Sequence, residues 1–520
     1  MNIKPKFFIL SLFILLGGVN PSHAASKPVD PKVLHVINRL SFGPTPGELQ
    51  RVESIGVERY IQEQLSPESI PESPTLTDQL SQLQTLNLNP VTLYRESQPI
   101  HLGNQKPTPE AMKAARERAH LIMQQAVQAR LLRAAESHRQ LQEMMVEFWY
   151  NHFNVYANKG PDRFWVGSYE QEAIRPYVLG RFRDLLEATA RHPAMMYYLD
   201  NWQNTAPGSP GAHGRYQGLN ENYARELMEL HTLGVDGGYT QQDVITLARI
   251  LTGWGYRPLN QPTGEDGSPF YFDPKRHDFS DKVFLGHTIK GSGASEVEQA
   301  LDILARSPVT AHHISYQLAQ YFVSDHPPDS LVKLLQKRFI ASDGNIREVL
   351  KTLFHSQEFW DSANFNSKFK TPYQYVISVV RATGMPVNNT SPMSSMLQQL
   401  GMPLYSCLTP DGYKNTEDAW LNPDAMTRRL SFATAVASGR VPLSAVLKNQ
   451  TKTDLPVMRS AMPVNQNQIR QQSRIQPVDA SQLAMTLGNS FSNQTQSAIA
   501  SSPPQLRAAL MLGSPEFMRH

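Results

Sequence analysis

The chain has 520 residues and a formal charge of +3, with no dense run of Lys or Arg, so neither nucleic acid nor an anionic membrane surface is indicated as a partner. Hydrophobic residues make up 40%, enough for a large core. The single cysteine, Cys407, excludes an internal disulfide and leaves stability to packing; no motif surrounds it.

Residues 1–24 have the parts of a secretory signal peptide. Lys4 and Lys6 form a basic start, Phe7 to Val19 an apolar run, and Ser22 and Ala24 supply small residues for cleavage. The expected mature chain starts near Ala25 and is exported, to the periplasm or outside the cell. The apolar run is short for a membrane helix, a retained anchor being the alternative, and no later stretch spans a membrane.

In 31–65, Val33, Val36, Ile37 and Leu40 keep helical spacing, Phe42 to Gly47 breaks it, and a second helix starts at Glu48. Residues 66–110 read as a loop-rich insertion with one short helix near Leu80–Leu86. One long helix is predicted from Pro109 to about Tyr156, with Leu141, Met145, Phe148 and His152 on one stripe. Arg181 to Leu199 gives two short helices interrupted at His192-Pro193, and 205–219 is a Gly/Pro-rich loop.

Asn220 to Tyr256 organises the chain as helix, tight loop, helix. Asn220 is a candidate N-cap, Gly234 a candidate stop, and Thr240 with Asp243 a capping box. Tyr223, Ala224, Leu227, Met228 and Leu230 form the apolar face of the first helix, with His231 inside it. Glu221, Arg225 and Glu229 alternate in charge along one ridge. Further on, Phe270–Phe272 and Val283–Leu285 are expected to pair as one hairpin. Residues 293–322 and 330–382 are helical, and 383–425 loop-rich. Residues 450–476 form a flexible Gln-rich segment, and 477–520 two short helices that pack back on a core spanning 25–449. Ser356-Gln357-Glu358-Phe359 and Ser514-Pro515-Glu516-Phe517 echo each other as helix starts. The expected fold class is mainly α, a multi-helix globular core with one small β-hairpin and long irregular loops.

Three constellations could carry chemistry. His152 and His231, near Trp149 and Glu226, could share a pocket as base or as zinc or iron ligands, or be core histidines bonded to carbonyls. Asp200, Asn201, Asn204, Asn220, Glu221 and Asn222 flank the 205–219 loop and could converge on a hard cation, or simply cap helix ends. His277-Asp278, with Lys282 and His287, is a weak phosphohydrolase-like doublet beside a predicted turn. G-x-S-x-G, P-loop, Rossmann, haem-attachment and His-Glu-x-x-His motifs are absent.

NENYARELMELHTLGVDGGYTQQDVITLARILTGWGY, together with HVINRLSFGPTPGELQ (35–50), EFWYNHF (147–153), ARHPAMMYYLDN (190–201), FDPKRHDFSDKVFLGH (272–287) and LGSPEFMR (512–519), resembles the bacterial family catalogued as domain of unknown function 1800. The resemblance spans most of the mature chain and implies no particular reaction. It does imply a partner, a sulfatase-like exported protein encoded nearby. The missing catalytic signature favours a binding or structural role. The alternative is an exported enzyme, a hydrolase or oxidoreductase with a possible divalent metal, sited between the 110–156 helix and the 220–252 pair. There His152 and His231 would be ligand or base, Glu226 and Glu229 carboxylates, and Arg225 an anion clamp.

Overall fold

The computed structural model describes residues 29–99, 106–257, 269–444 and 476–520. The signal peptide and residues 450–475 of the Gln-rich segment lie outside them.

The fold is mainly α. In chain order the helices are α1 (Pro31–Leu40), α2 (Glu48–Ile55), α3 (Val57–Leu65), α4 (Pro74–Ser81), α5 (Pro90–Glu96), α6 (Pro109–Glu136), α7 (Gln140–His152), α8 (Asp162–Ser168), α9 (Phe182–Arg191), α10 (Pro193–Tyr198), α11 (Asn222–Glu229) and α12 (Gln241–Ile250). Then come α13 (Ser295–Arg306), α14 (Pro308–Phe322), α15 (Asp329–Ala341), α16 (Ile346–Phe354), α17 (Pro372–Thr383), α18 (Ser391–Gln399), α19 (Glu417–Trp420), α20 (Pro423–Ala437), α21 (Ala480–Thr486), α22 (Asn493–Ser501) and α23 (Pro504–Leu512). No helix among the described residues is long and apolar enough to cross a membrane.

Many ends follow local chemistry. Thr240 and Asp243 close the expected capping box on α12. His192 caps α10 with its ring, accepting from Ala194 N ahead of Pro193 at the first helical position.

Several elements differ from the sequence reading. The long helix is two, because Ser137 turns extended and its hydroxyl donates to Glu72, while Gln140 Nε2 donates back to the Ala134 and Ser137 carbonyls. The 66–110 stretch holds α4, a 3-10 turn at Gln84–Asn87 and α5, with Leu76, Leu83, Val91 and Leu93 buried. The two halves of the expected hairpin belong to different sheets. β1 (Trp254–Tyr256) pairs antiparallel with β2 (Phe270–Phe272), and β3 (Lys282–Phe284) with β4 (His287–Ile289). Gly286, at φ +80, lets β3 turn straight onto β4, so Val283 faces Thr288. Residues 477–520 hold three helices. Neither half of the Ser-x-Glu-Phe echo starts a helix; each closes a single turn, with Ser356 and Ser514 accepting from Phe359 N and Phe517 N.

One continuous apolar core runs from α1 to α23. Trp149, His152, Tyr223 and His231 are all buried in it. Beneath α6 and α7 lies a buried ionic group: Arg175 holds Glu143 through two nitrogens at 2.6 and 3.0 Å, and Arg130 and Tyr405 both meet Glu170.

Candidate functional site: a polar cleft at the end of α7

The last turns of α7 join four parts of the fold. Trp149 Nε1 donates to Val178 O at 3.0 Å and anchors the helix inward. Asn151 exchanges two bonds with the Tyr413 backbone, both 2.7 Å, and Asn154 donates to the carbonyls of Cys407 and Thr409. These amides dock the 402–416 segment against α7. Gly412 must be glycine there, because a Cβ would lie 2.3 Å from the Asn151 carbonyl oxygen.

His231 lies beyond α11, not within it. The helix ends at Glu229, and i→i+5 bonds from His231 N to Glu226 O and Leu233 N to Met228 O fold the chain inward. His152 Nε2 then donates to the His231 carbonyl at 3.1 Å, while the two ring centroids stay 6.1 Å apart. Gln317 also bonds the His152 ring. Burial, and then the neighbouring His313, hold His152 down to about 3, so its ring is neutral. His231 is pushed well below its ordinary value by burial and then by His152, and its Nε2 has no partner among the described residues.

A cleft of about 390 Å³ opens between α7, the end of α11, α14 and the docked segment, lined by Glu147, His152, Glu229, His313, Asp411 and Lys414, with Tyr321 and Tyr413 beside them. Its acids sit in unlike surroundings. Burial pushes the Glu147 carboxyl up, only partly offset by the Tyr321 hydroxyl at 2.6 Å and by Arg130. Burial would raise Asp411 too, but bonds from Thr409 and from Lys414 at 2.9 Å outweigh it and hold Asp411 below the usual carboxylate range. Glu226, half-buried nearby, is pushed up by burial and then by the charges of Glu229 and Asp411. His313 bonds the Leu230 backbone and is lowered chiefly by burial; its Nε2 is unpartnered among the described residues.

Of the residues singled out in sequence, the cleft contains His152 and Glu229. His231 is behind its wall. Arg225 turns outward to Glu221 at 3.3 Å and Gln241 at 3.0 Å. The acid Glu147, the docked Asp411–Lys414 pair and His313 escaped sequence reasoning. Glu147 opens the EFWYNHF stretch, five residues before His152, but Asp411 reads as an ordinary Pro-Asp-Gly turn.

The oxygen-rich cluster does converge, but on N–H donors. Asn204 Oδ1 accepts from Asn220 N at 2.9 Å, Asn201 Oδ1 from Asn204 Nδ2 at 3.2 Å, and Asn220 Oδ1 from Asn222 N at 3.0 Å. Asp200 meets Lys159 at 2.8 Å, and Glu221 accepts from Gln241 at 2.7 Å. The network closes the base of the 205–219 loop; Asn220 stands one residue outside the cap position, held by Glu221. His277 is wholly buried and bonds Glu296 Oε1 at 2.9 Å and the Thr252 carbonyl at 2.8 Å; Lys282 meets the other Glu296 oxygen at 2.6 Å. Asp278 pairs with Arg249 at 2.7 Å, and His287 is exposed on β4. The doublet therefore braces a fold corner. Among the described residues, no group of three or more His, Cys, Asp or Glu side chains is placed to hold a metal ion.

A family model described as a protein of unknown function, DUF1800, matches residues 35–519. The chain belongs to that family. No curated protein and no solved structure matches it.

Proposed function

We propose that the protein is an exported enzyme of acid–base type, acting on a small polar substrate in the cleft at the end of α7. One observation carries the reading: two carboxyl groups of one cleft, Glu147 and Asp411, are driven in opposite directions by their surroundings. Groups whose environments separate them in this way are suited to act as acid and base in one reaction. Glu147 accepts a hydrogen bond from the Tyr321 hydroxyl on Oε2, and the burial that pushes its carboxyl up suits it to the role of acid. Asp411, ionised and paired with Lys414, is the base. His152, with Nε2–H fixed on the His231 carbonyl and Gln317 bonded to its ring, is a neutral, positioned part of the cleft wall. Export rests on the signal-like residues 1–24.

The test is turnover of p-nitrophenyl acetate, phosphate and glycosides by the purified protein, beside Glu147→Gln and Asp411→Asn. Hydrolysis of one class, lost in both variants while each stays folded, supports the reading. Absence of turnover throughout, or turnover indifferent to both variants, overturns it. A second reading, a binding or assembly role beside another exported protein, is favoured by the burial of His231 and Trp149 in solid core. It predicts that both cleft variants leave partner capture intact.

A further inference from the structure

On another face, a groove of about 700 Å³ runs between α5, α6, α8 and the chain around 197–216. Four arginines line it, Arg116, Arg163, Arg215 and Arg276, and no Asp or Glu does so among the described residues. The aromatic rings there already form a stack. Tyr197 and Trp202 lie parallel, 5.6 Å apart, Arg215 lies over Trp202 at 5.2 Å, and Arg276 covers Tyr216 at 4.5 Å. Arg276 is engaged by Asp273 and the Trp202 carbonyl. The other three are exposed and have no ion-pair partner among the described residues. Arg163 rests over Phe164 at 5.3 Å with a single long bond to Gly160 O. Asp162, beside this wall, is buried with neither oxygen hydrogen-bonded, and burial pushes its carboxyl well above the usual range.

A guanidinium resting over a ring, as those of Arg163 and Arg215 do, loses part of its freedom and can receive a carboxylate or sulfate through two N–H bonds, and the exposed Arg116 adds a third guanidinium to the same groove. The excess of such groups asks for several negative charges on one ligand. Ring faces covered by arginine leave little platform for nucleobases, whereas the tyrosine hydroxyls and arginine edges suit a hydroxyl-rich chain. We propose that this groove binds a segment of acidic polysaccharide, its carboxylate or sulfate groups seated on Arg116, Arg163 and Arg215. The site is separate from the cleft at α7 and does not rest on the function proposed there.

Titration calorimetry at low salt tests it with a galacturonate hexamer and a heparin hexasaccharide, against maltohexaose and an oligothymidylate. Binding of either acidic sugar, weakened about tenfold or more by Arg163→Ser/Arg215→Ser and absent for maltohexaose, is the expected result. Both arginines are exposed, so the variant should melt where the native protein does; Arg215→Glu provides a second, single-site readout. The hexamer alone binding would assign carboxylate recognition, and the heparin fragment alone sulfate. The proposal is overturned if neither acidic sugar binds, if the variants bind like the native protein, or if the oligothymidylate binds more tightly than both sugars.

Discussion

His152 donates through Nε2 to the backbone carbonyl of His231, 3.1 Å away, so two histidines that the sequence places on separate apolar stripes meet as a ring and a main chain. One ring holds a backbone group in place; the other has a buried nitrogen with nothing to bond among the described residues. Their substitutions should differ accordingly. His152→Leu leaves a buried carbonyl without its donor and should cost about 1–3 kcal/mol in urea unfolding. His231→Leu removes an unpaired polar atom from the core and should cost less than about 1 kcal/mol. Equal losses at both positions would mean that the His231 ring has a partner of its own.

Acid should destabilise the protein through its buried histidines. His192 is held down to about 3 by burial. The folded chain refuses a proton that the unfolded chain takes up below 6.5. This contribution is therefore present above that value and is lost as pH falls from 6.5 toward 3, at up to about 1.4 kcal/mol per pH unit. His192→Asn keeps a cap for α10 and removes the titration. Its stability should fall less steeply below pH 6.5, by up to that slope. Glu172, 3.9 Å away and half-exposed, titrates in the opposite sense, but it stays in both proteins and leaves the difference to the histidine.

Lys282 is buried against Glu296 and two backbone carbonyls, with His277 on the other carboxylate oxygen. Glu296→Gln would leave the buried ammonium with only the more distant Asp278, at 4.0 Å, as a carboxylate partner and should cost up to about 3–5 kcal/mol. In a Lys282→Met background the same change should cost clearly less, because no buried ammonium is left behind. Additive losses in a denaturation cycle would show that the pair is not coupled.

Asn151 docks the 402–416 segment with two short bonds to the Tyr413 backbone. Asn151→Ala should release that segment and expose the chain near Leu408 to limited proteolysis, with a stability loss of about 1–3 kcal/mol. An unchanged cleavage pattern would place the docking energy elsewhere, in Asn154 or in the packing of Tyr405 and Met402.

Much of the helical scaffold was legible in advance. The α12 capping box, the His192-Pro193 interruption and the apolar faces of α1 and α11 were all read from residues a turn apart. Misreadings fell where a distant group intervened. The break between α6 and α7 depends on Glu72 receiving the Ser137 hydroxyl, and β2 pairs with the strand after α12, where Asp273 N donates to the Gly253 carbonyl. Within the cleft, His152 and Glu229 were foreseen and Asp411 was not, since nothing local distinguishes a Pro-Asp-Gly turn that reaches a helix end from one in water.

The sequence by itself determined the family, the mainly helical class, the positions of most helices and a buried environment for His152 and His231. These follow from periodicity and capping, which act over about four residues. Only the tertiary structure decided that His152 meets a carbonyl, that the Asx cluster bonds amides, that His277 is locked between Glu296 and Thr252, and that four arginines share one groove. Each of these joins segments far apart in the chain, and burial at the junction, which no local pattern encodes, sets the charge state of the groups that meet there.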